Sequence, residues 1–133
     1  MKIKRVEVVV PKGSYAIGDP CYAVPNDDWS DLLDSCNYFE SPIGYVVKDG
    51  VQKFPVLAFG TKWGDGCYRG TDGKTYPVDA GLIGLVPVEI IKDFADCELI
   101  TFEKDTICVN DGSGKLKFGH ITIDTDPNEE VEE

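Results

Sequence analysis

Histidine, basic side chains and long apolar runs are scarce in this chain of 133 residues. It contains one histidine, and 13 Lys and Arg residues stand against 24 Asp and Glu residues. No apolar run approaches the ~18 residues of a membrane-spanning helix, so we expect no contact with a membrane. With His120 as its single histidine, the chain offers few of the Cys and His combinations that hold zinc. We therefore expect no metal and no cofactor.

The net charge of the chain is −11 and is unevenly spread. Six acids and no base lie in the last ten residues, 124–133. Because this segment has little to bury and repels itself, we expect a disordered acidic tail over residues 125–133. An acidic surface disfavours contact with a phosphate backbone, so direct nucleic-acid binding is not expected. The charge either keeps the protein in solution or imitates nucleic acid on a basic partner.

The start of the chain and its cysteines indicate a reducing compartment. The first apolar stretch is too short for a signal peptide and contains Glu7, so we expect a cytoplasmic protein, in the host cell if a phage encodes it. The five cysteines are odd in number and include no Cys-x-x-Cys pair. We expect most of them to be reduced and buried as small apolar side chains.

Size and apolar patterning predict one mostly β domain over residues 1–124. A chain of 14.6 kDa is typical of a single domain and can bury a core without metals or disulfides. Alternating apolar and polar residues, with frequent turn residues, predict eight or more short strands. We expect an antiparallel, barrel-like or sandwiched sheet of hairpins with one or two short helices.

Local signals predict the individual elements. Residues 6–10 and 15–17 are predicted strands, residues 26–34 a helix capped by Asn26, and residues 87–94 a short helix. Four hairpins are expected around Asp-Gly and similar turns. Their strand pairs are 45–47 with 54–59, 67–70 with 75–78, 99–102 with 106–109, and 116–118 with 121–123.

The most informative feature is a short motif that occurs twice. Gly18-Asp19-Pro20-Cys21-Tyr22 recurs as Gly64-Asp65-Gly66-Cys67-Tyr68, with four of five residues identical. In each copy the Asp side chain can accept a hydrogen bond from the backbone two residues on. If the chain then extends as a strand, Asp and Cys share one face and Tyr lies on the other.

Two interpretations of the motif stay open. Both copies can be turns that lead into core strands, or they can converge on a pocket for a small molecule or a partner. The candidate pocket residues are Asp19, Cys21, Tyr22, Trp63, Asp65, Cys67, Tyr68 and Asp79. None of them is predicted to be catalytic, because nucleophilic chemistry also needs a base, and the single histidine lies in a predicted turn. A disulfide between Cys21 and Cys67 requires Cα atoms within ~7 Å.

A third glycine-rich segment, Asn110-Asp111-Gly112-Ser113-Gly114-Lys115, is similar to loops that bind calcium or phosphate. It lacks the spaced acids of a calcium loop, and a strand-like segment follows where a phosphate loop opens a helix. We therefore interpret it as a hairpin connection.

Two blocks of the chain resemble small proteins of bacteria and their phages that have no established activity. The first block is Ser14-Tyr15-Ala16-Ile17-Gly18-Asp19-Pro20-Cys21-Tyr22. The second contains Trp63-Gly64-Asp65-Gly66-Cys67-Tyr68, followed by Asp72-Gly73 and Val78-Asp79-Ala80-Gly81. The resemblance covers roughly residues 14–22 and 57–87 and implies a phage or prophage accessory protein.

Together these features favour binding over catalysis. We expect a non-enzymatic protein that binds a host or phage macromolecule, with a protein as its partner, and that can modulate a host enzyme or defence system. One alternative is a small-molecule-binding protein or hydrolase-like enzyme with its pocket at the two motifs. Another is a structural component of a virion. The oligomeric state is left open by the sequence.

Overall fold

The computed structural model describes residues 5–37, 40–48, 50–79, 81–91 and 97–125. Within these ranges the chain forms eleven strands, two α-helices and one 3-10 turn. The strands are β1 (Val6–Val10), β2 (Gly13–Gly18), β3 (Ile43–Lys48), β4 (Gln52–Gly60), β5 (Gly66–Arg69), β6 (Thr75–Val78), β7 (Leu82–Pro87), β8 (Glu98–Phe102), β9 (Thr106–Asn110), β10 (Lys115–Phe118) and β11 (Ile121–Asp124). The helices are α1 (Pro20–Ala23) and α2 (Asn26–Ser35), and the 3-10 turn is Val88–Ile90.

The strands form two antiparallel sheets and a two-stranded ribbon. The four-stranded sheet has the order β1-β9-β10-β11, and the five-stranded sheet has the order β3-β4-β7-β2-β8. The ribbon consists of β5 and β6. These described strands adopt a sandwich-like arrangement rather than a closed barrel, which confirms the predicted mostly β class.

The apolar core lies in two layers on either side of the five-stranded sheet. One layer joins the five-stranded sheet to the four-stranded sheet and the ribbon. The other joins its opposite face to α1 and α2. Because both faces of this sheet are covered, its middle strands are continuously apolar rather than alternating. Ile83 to Pro87 in β7 are all buried, for example, and this strand was absent from the sequence prediction.

Three of the four predicted hairpins are confirmed, and one is wrong. β3 pairs with β4, β5 with β6, and β10 with β11. The strands β8 and β9 exist as predicted, but they belong to different sheets, because β8 pairs with β2 while β9 pairs with β1 and β10. The predicted turn between them is therefore a crossing from one sheet to the other. The glycine-rich segment after β9 is the predicted hairpin connection to β10.

The predicted helix over residues 26–34 is confirmed, but its capping is not. Helix α2 starts at Asn26, and its N-cap residue is Pro25, with no side-chain hydrogen bond at the cap. The second predicted helix is only the 3-10 turn Val88–Ile90, which follows Pro87, and part of the predicted span lies outside the described residues. Neither α-helix in the described part of the chain is long and apolar enough to cross a membrane.

The folded unit extends to Thr125. The sequence places this residue in the predicted acidic tail, but its side chain is buried and its hydroxyl donates to the carbonyl of Gly114 over 2.5 Å. The same hydroxyl accepts a hydrogen bond from the backbone N–H of Lys62 over 2.9 Å. The rest of the predicted tail, residues 126–133, lies outside the described residues.

Candidate functional site

The two copies of the repeated motif have different backbone structures. In the first copy Asp19 is the N-cap of α1, and its Oδ1 accepts a hydrogen bond from the N–H of Cys21 over 3.0 Å. In the second copy the chain continues from Asp65 into β5. The expectation that Asp and Cys share one face of a strand is therefore wrong for the first copy, where Cys21 and Tyr22 lie on a helical turn.

Asp19 links the first motif to the end of the ribbon. Its side chain is fully buried, and its Oδ2 accepts a hydrogen bond from the N–H of Asp79 over 2.8 Å. Asp79 directly follows β6, and Asp65 directly precedes β5, so both lie one residue beyond the last pair of the ribbon, Gly66 opposite Val78. The structure thus brings Asp19 and Asp79 into contact, and the Asp19 carboxylate holds two backbone amides in place.

The remaining candidate residues divide between core and surface. Tyr68 is buried opposite Tyr76, and its hydroxyl donates to the carbonyl of Gly64 over 3.0 Å. Tyr22 is partly buried against the core layer under the helices. Trp63 is 60% exposed, and the ammonium nitrogen of Lys62 lies 5.8 Å from the centre of its ring. The three other side chains of this group are not buried: Cys21 is partly exposed, and Asp65 and Cys67 are exposed.

A cleft of about 720 Å³, here called the ribbon cleft, lies between β5 and the edge of the four-stranded sheet. It closes where the N–H of Thr71 donates to the carbonyl of Thr122 over 2.9 Å. Two of the candidate residues line it, and none of those from the first motif does. The lining residues are Cys67, Tyr68, Arg69, Gly70, Thr71, Lys115, Thr122 and Asp124.

The cysteines differ in exposure and therefore in reactivity. No disulfide joins any of the five cysteines, all of which are described, and Cys36, Cys97 and Cys108 are buried, as expected for most of them. Burial raises the pKa of the Cys108 thiol to about 12, which suppresses the reactive thiolate. Among the described residues, no group of three or more His, Cys, Asp or Glu side chains is placed to hold a metal ion.

Two buried phenols support the fold through short hydrogen bonds. The hydroxyl of Tyr76 donates to Oδ2 of Asp72 over 2.6 Å, and burial together with this carboxylate raises the pKa of the phenol. The hydroxyl of Tyr15 donates to the carbonyl of Pro11 over 2.6 Å. Burial, and next the neighbouring Cys108, raises the pKa of Tyr15 to about 12. Both groups stay protonated at neutral pH and act as hydrogen-bond donors.

A second surface, which the sequence analysis did not identify, is formed by α2. Asp27, Asp31 and Asp34 are exposed and follow one another at spacings of four and three residues, so they share one face of the helix. We call these three residues the acidic stripe. The opposite face carries Leu32, which is fully buried against the sheet. The acids were visible in the sequence, but only the helix places them in a row.

Strand β3 lies beside α2 and forms one edge of the five-stranded sheet. Its side chains Tyr45 and Val47 are 42% and 48% exposed. A cleft of about 390 Å³, here called the edge cleft, separates this strand from the helix. At its end the N–H of Tyr45 donates to Oγ of Ser35 over 2.9 Å. The lining residues are Asp28, Asp31, Ser35, Tyr45, Val46, Val47 and Lys53.

Two lysines of the chain itself already bind at the edge cleft. The ammonium of Lys48 lies 2.8 Å from Oδ2 of Asp28. The ammonium of Lys53 lies 5.6 Å from the centre of the Tyr45 ring, within the range of a cation–π contact. Both walls of the cleft therefore attract cations. One wall carries the carboxylates of α2, and the other carries the aromatic ring of Tyr45 in β3.

Comparison with protein-family models, with curated proteins and with solved structures finds no match to this chain. Function is therefore inferred from the ribbon cleft, the edge cleft and the acidic stripe.

Proposed function

We propose that this chain is a non-enzymatic binding protein of the accessory type that phages and prophages encode, and that it binds a protein partner with its acidic side. The observation that carries the proposal is the pairing of the acidic stripe with the exposed edge strand β3. Together they offer charge, apolar side chains and backbone groups on one surface. Modulation of a host enzyme or defence system is the form of function that we favour.

The position of Asp34 supports a role for the stripe in binding. This residue lies in the last turn of α2, where the negative end of the helix dipole repels a carboxylate, and no basic residue in that turn compensates. The arrangement costs the helix roughly 0.3–1 kcal/mol. Local choices that oppose stability occur in natural proteins mainly at functional sites.

The chemistry of the surface selects the partner. Three exposed carboxylates in a row repel phosphate backbones and attract lysine and arginine. Tyr45 and Val47 add apolar area next to the charges, as is common where one protein recognises another. The partner is therefore expected to present a basic surface with apolar residues within it.

Removal of the stripe tests the proposal. The variant Asp27→Asn, Asp31→Asn, Asp34→Asn removes three charges without changing side-chain size. The control removes three exposed acids elsewhere, Glu7→Gln, Glu89→Gln and Glu103→Gln.

Both proteins and the wild type are used as bait in a bacterial lysate, and captured proteins are quantified by mass spectrometry at two salt concentrations. We expect wild type and control to retain the same partner and the stripe variant to lose it by about tenfold, with weaker capture of the partner at high salt. Equal capture by all three proteins would contradict the proposal.

The ribbon cleft favours a second candidate function, the binding of a small molecule. It is large enough for a small ligand, and its lining places the two cations Arg69 and Lys115 beside one carboxylate, Asp124, in an otherwise acidic protein. Native mass spectrometry of the purified protein, compared with its denatured mass, measures any bound molecule. A retained ligand that is lost in Arg69→Gln supports this candidate, and an unmodified mass argues against it.

A further inference from the structure

We propose that the edge of β3 binds an extended, lysine- or arginine-bearing segment of a partner protein as an additional β-strand. This inference rests on the proposed function and specifies how the partner is held. It follows from the direction of the backbone groups of β3, from its exposed side chains and from the acids beside it.

The backbone groups of Tyr45 and Val47 in β3 are not used in the pairing with β4. Tyr45 lies opposite Pro55, which has no N–H to donate. In an antiparallel pair the groups that face the neighbouring strand alternate along the chain, so Tyr45 and Val47 direct their N–H and C=O groups away from β4. The hydrogen bond from the N–H of Tyr45 to Ser35 confirms this direction.

Beyond Tyr45 the described part of the chain leaves this edge open. None of the described hydrogen bonds outside the β3–β4 pairing engages the N–H of Val47 or the carbonyl groups of Tyr45 and Val47. An incoming strand can therefore form main-chain hydrogen bonds with three groups of β3, as in other cases of strand addition to a sheet edge.

The two faces of β3 dictate alternating chemistry in the incoming strand. Tyr45 and Val47 are exposed on one face, so the side chains beside them should be apolar. On the other face Val46 is covered by the core layer under α2, and Asp28 and Asp31 line the cleft. Side chains directed there should be lysine or arginine, which the contact of Lys48 with Asp28 already exemplifies.

The other edge of the same sheet provides an internal comparison. Strand β8 also exposes an apolar side chain, Leu99, which is 60% exposed. The acid at its start, Glu98, lies 3.6 Å from the ammonium of Lys74. The acidic stripe is on the β3 side, so a basic strand should prefer β3 over β8.

The probe for this inference is a capped heptapeptide of alternating lysine and valine. Two further versions carry N-methyl groups, one on the lysines and the other on the valines. Binding is followed by two-dimensional NMR of the ¹⁵N-labelled full-length protein. Since only one set of peptide N–H groups can face β3, one methylated peptide should bind about tenfold more weakly than the parent, and the other should bind like it.

A pair of protein variants tests the same contact from the other side. Val47→Pro removes the outward N–H, and proline is tolerated on edge strands at such positions. Val47→Thr keeps this N–H and serves as the control. We expect the first to lose about tenfold in affinity for the parent peptide and the second to bind it nearly as well as the wild type does. If Val47→Pro does not fold, the methylated peptides on the wild-type protein decide.

The outcomes separate the two proposals. Amide shifts centred on Ser35, Tyr45 and Val47, with one methylated peptide weakened, support strand addition. If both methylated peptides bind like the parent while the stripe variant does not bind, strand addition is wrong and the acidic binding surface stands. Shifts centred on β8, or no binding of the parent peptide, also overturn strand addition.

Discussion

Replacement of Gly84 by alanine should destabilise the protein more than the same replacement at a glycine with free space around its Cα atom. Gly84 lies in β7, between Ala58 of β4 and Gly18 of β2. A Cβ atom at this position would lie 1.7 Å from the carbonyl oxygen of Leu57 and 2.6 Å from its carbonyl carbon. Both are backbone atoms of a buried strand, so no side-chain rotation can relieve the clash and the strands must separate.

The expected cost is large relative to the stability of a single domain. Overpacking of a core typically costs about 1–3 kcal/mol, and a clash with backbone belongs at or above the upper end of that range. We expect a loss of about 3 kcal/mol from a total of about 5–15 kcal/mol. The control is Gly60→Ala in β4, where nothing lies within 4 Å of the new atom. This control should stay within about 0.5 kcal/mol of the wild type.

Urea unfolding of the three proteins, monitored by tryptophan fluorescence, measures these differences. The midpoint of Gly84→Ala should fall well below the other two at an unchanged slope. A midpoint for Gly84→Ala equal to that of Gly60→Ala would refute the close approach of β4 and β7, and with it the order of the five-stranded sheet.

Four further predictions concern thiol labelling, the pH dependence of stability and two substitutions. Under native conditions a thiol reagent should label Cys67 first and Cys108 only on unfolding; early labelling of Cys108, detected by peptide mass spectrometry, would contradict the core. Burial raises the pKa values of Cys108 and Tyr15 to about 12 from 9.0 and 10.0, so the stability they contribute is complete below about pH 9 and lost as pH rises toward 12. The urea midpoint should therefore fall between pH 9 and pH 11, and a constant midpoint would argue against buried thiol and phenol groups. Asp34→Asn should raise the free energy of unfolding by roughly 0.3–1 kcal/mol while weakening partner binding. Tyr76→Phe removes the hydroxyl that pairs with Asp72 and should cost about 1–2 kcal/mol in the same unfolding assay, whereas no loss would mean that this hydrogen bond adds no net stability.

The elements with clear local signals were predictable from the sequence. Alternating strands next to Asp-Gly turns appear where expected, as in the ribbon around Asp72 and Gly73. Strand β7 was not predictable, because a strand covered on both faces has no alternation of apolar and polar residues to detect. The partners of β8 and β9 were not predictable for another reason. The turn between them is similar to a hairpin turn, and only contacts distant in sequence assign the two strands to different sheets.

The repeated motif shows how one substitution changes local structure. The two copies differ only at the third position, Pro20 in one and Gly66 in the other. Proline has the fixed φ that suits the first turn of a helix, and α1 starts at Pro20. Gly66 has φ +149°, which other residues rarely adopt, and the chain then extends into β5. Similar sequence therefore did not imply similar geometry or a shared pocket.

The acidic stripe and the edge cleft depend both on local sequence and on the packing of distant segments. The spacing of the aspartates and the helix that carries them could be predicted from the sequence. Their position beside β3 could not, because it depends on the packing of α2 over a strand that follows it in the chain. The hydrogen bond between Ser35 and Tyr45 fixes this neighbourhood and has no local signature.

Site-specific photo-crosslinking in bacterial cells tests the central claim most directly. A photo-reactive benzoylphenylalanine replaces Val47 at the edge cleft in one protein and Ile107, which is 54% exposed on the four-stranded sheet, in another. We predict a discrete adduct with one protein from position 47 that is lost in the stripe variant, and no such adduct from position 107. Adducts from position 107 alone, or none from position 47, would contradict the assignment of the binding surface to α2 and β3.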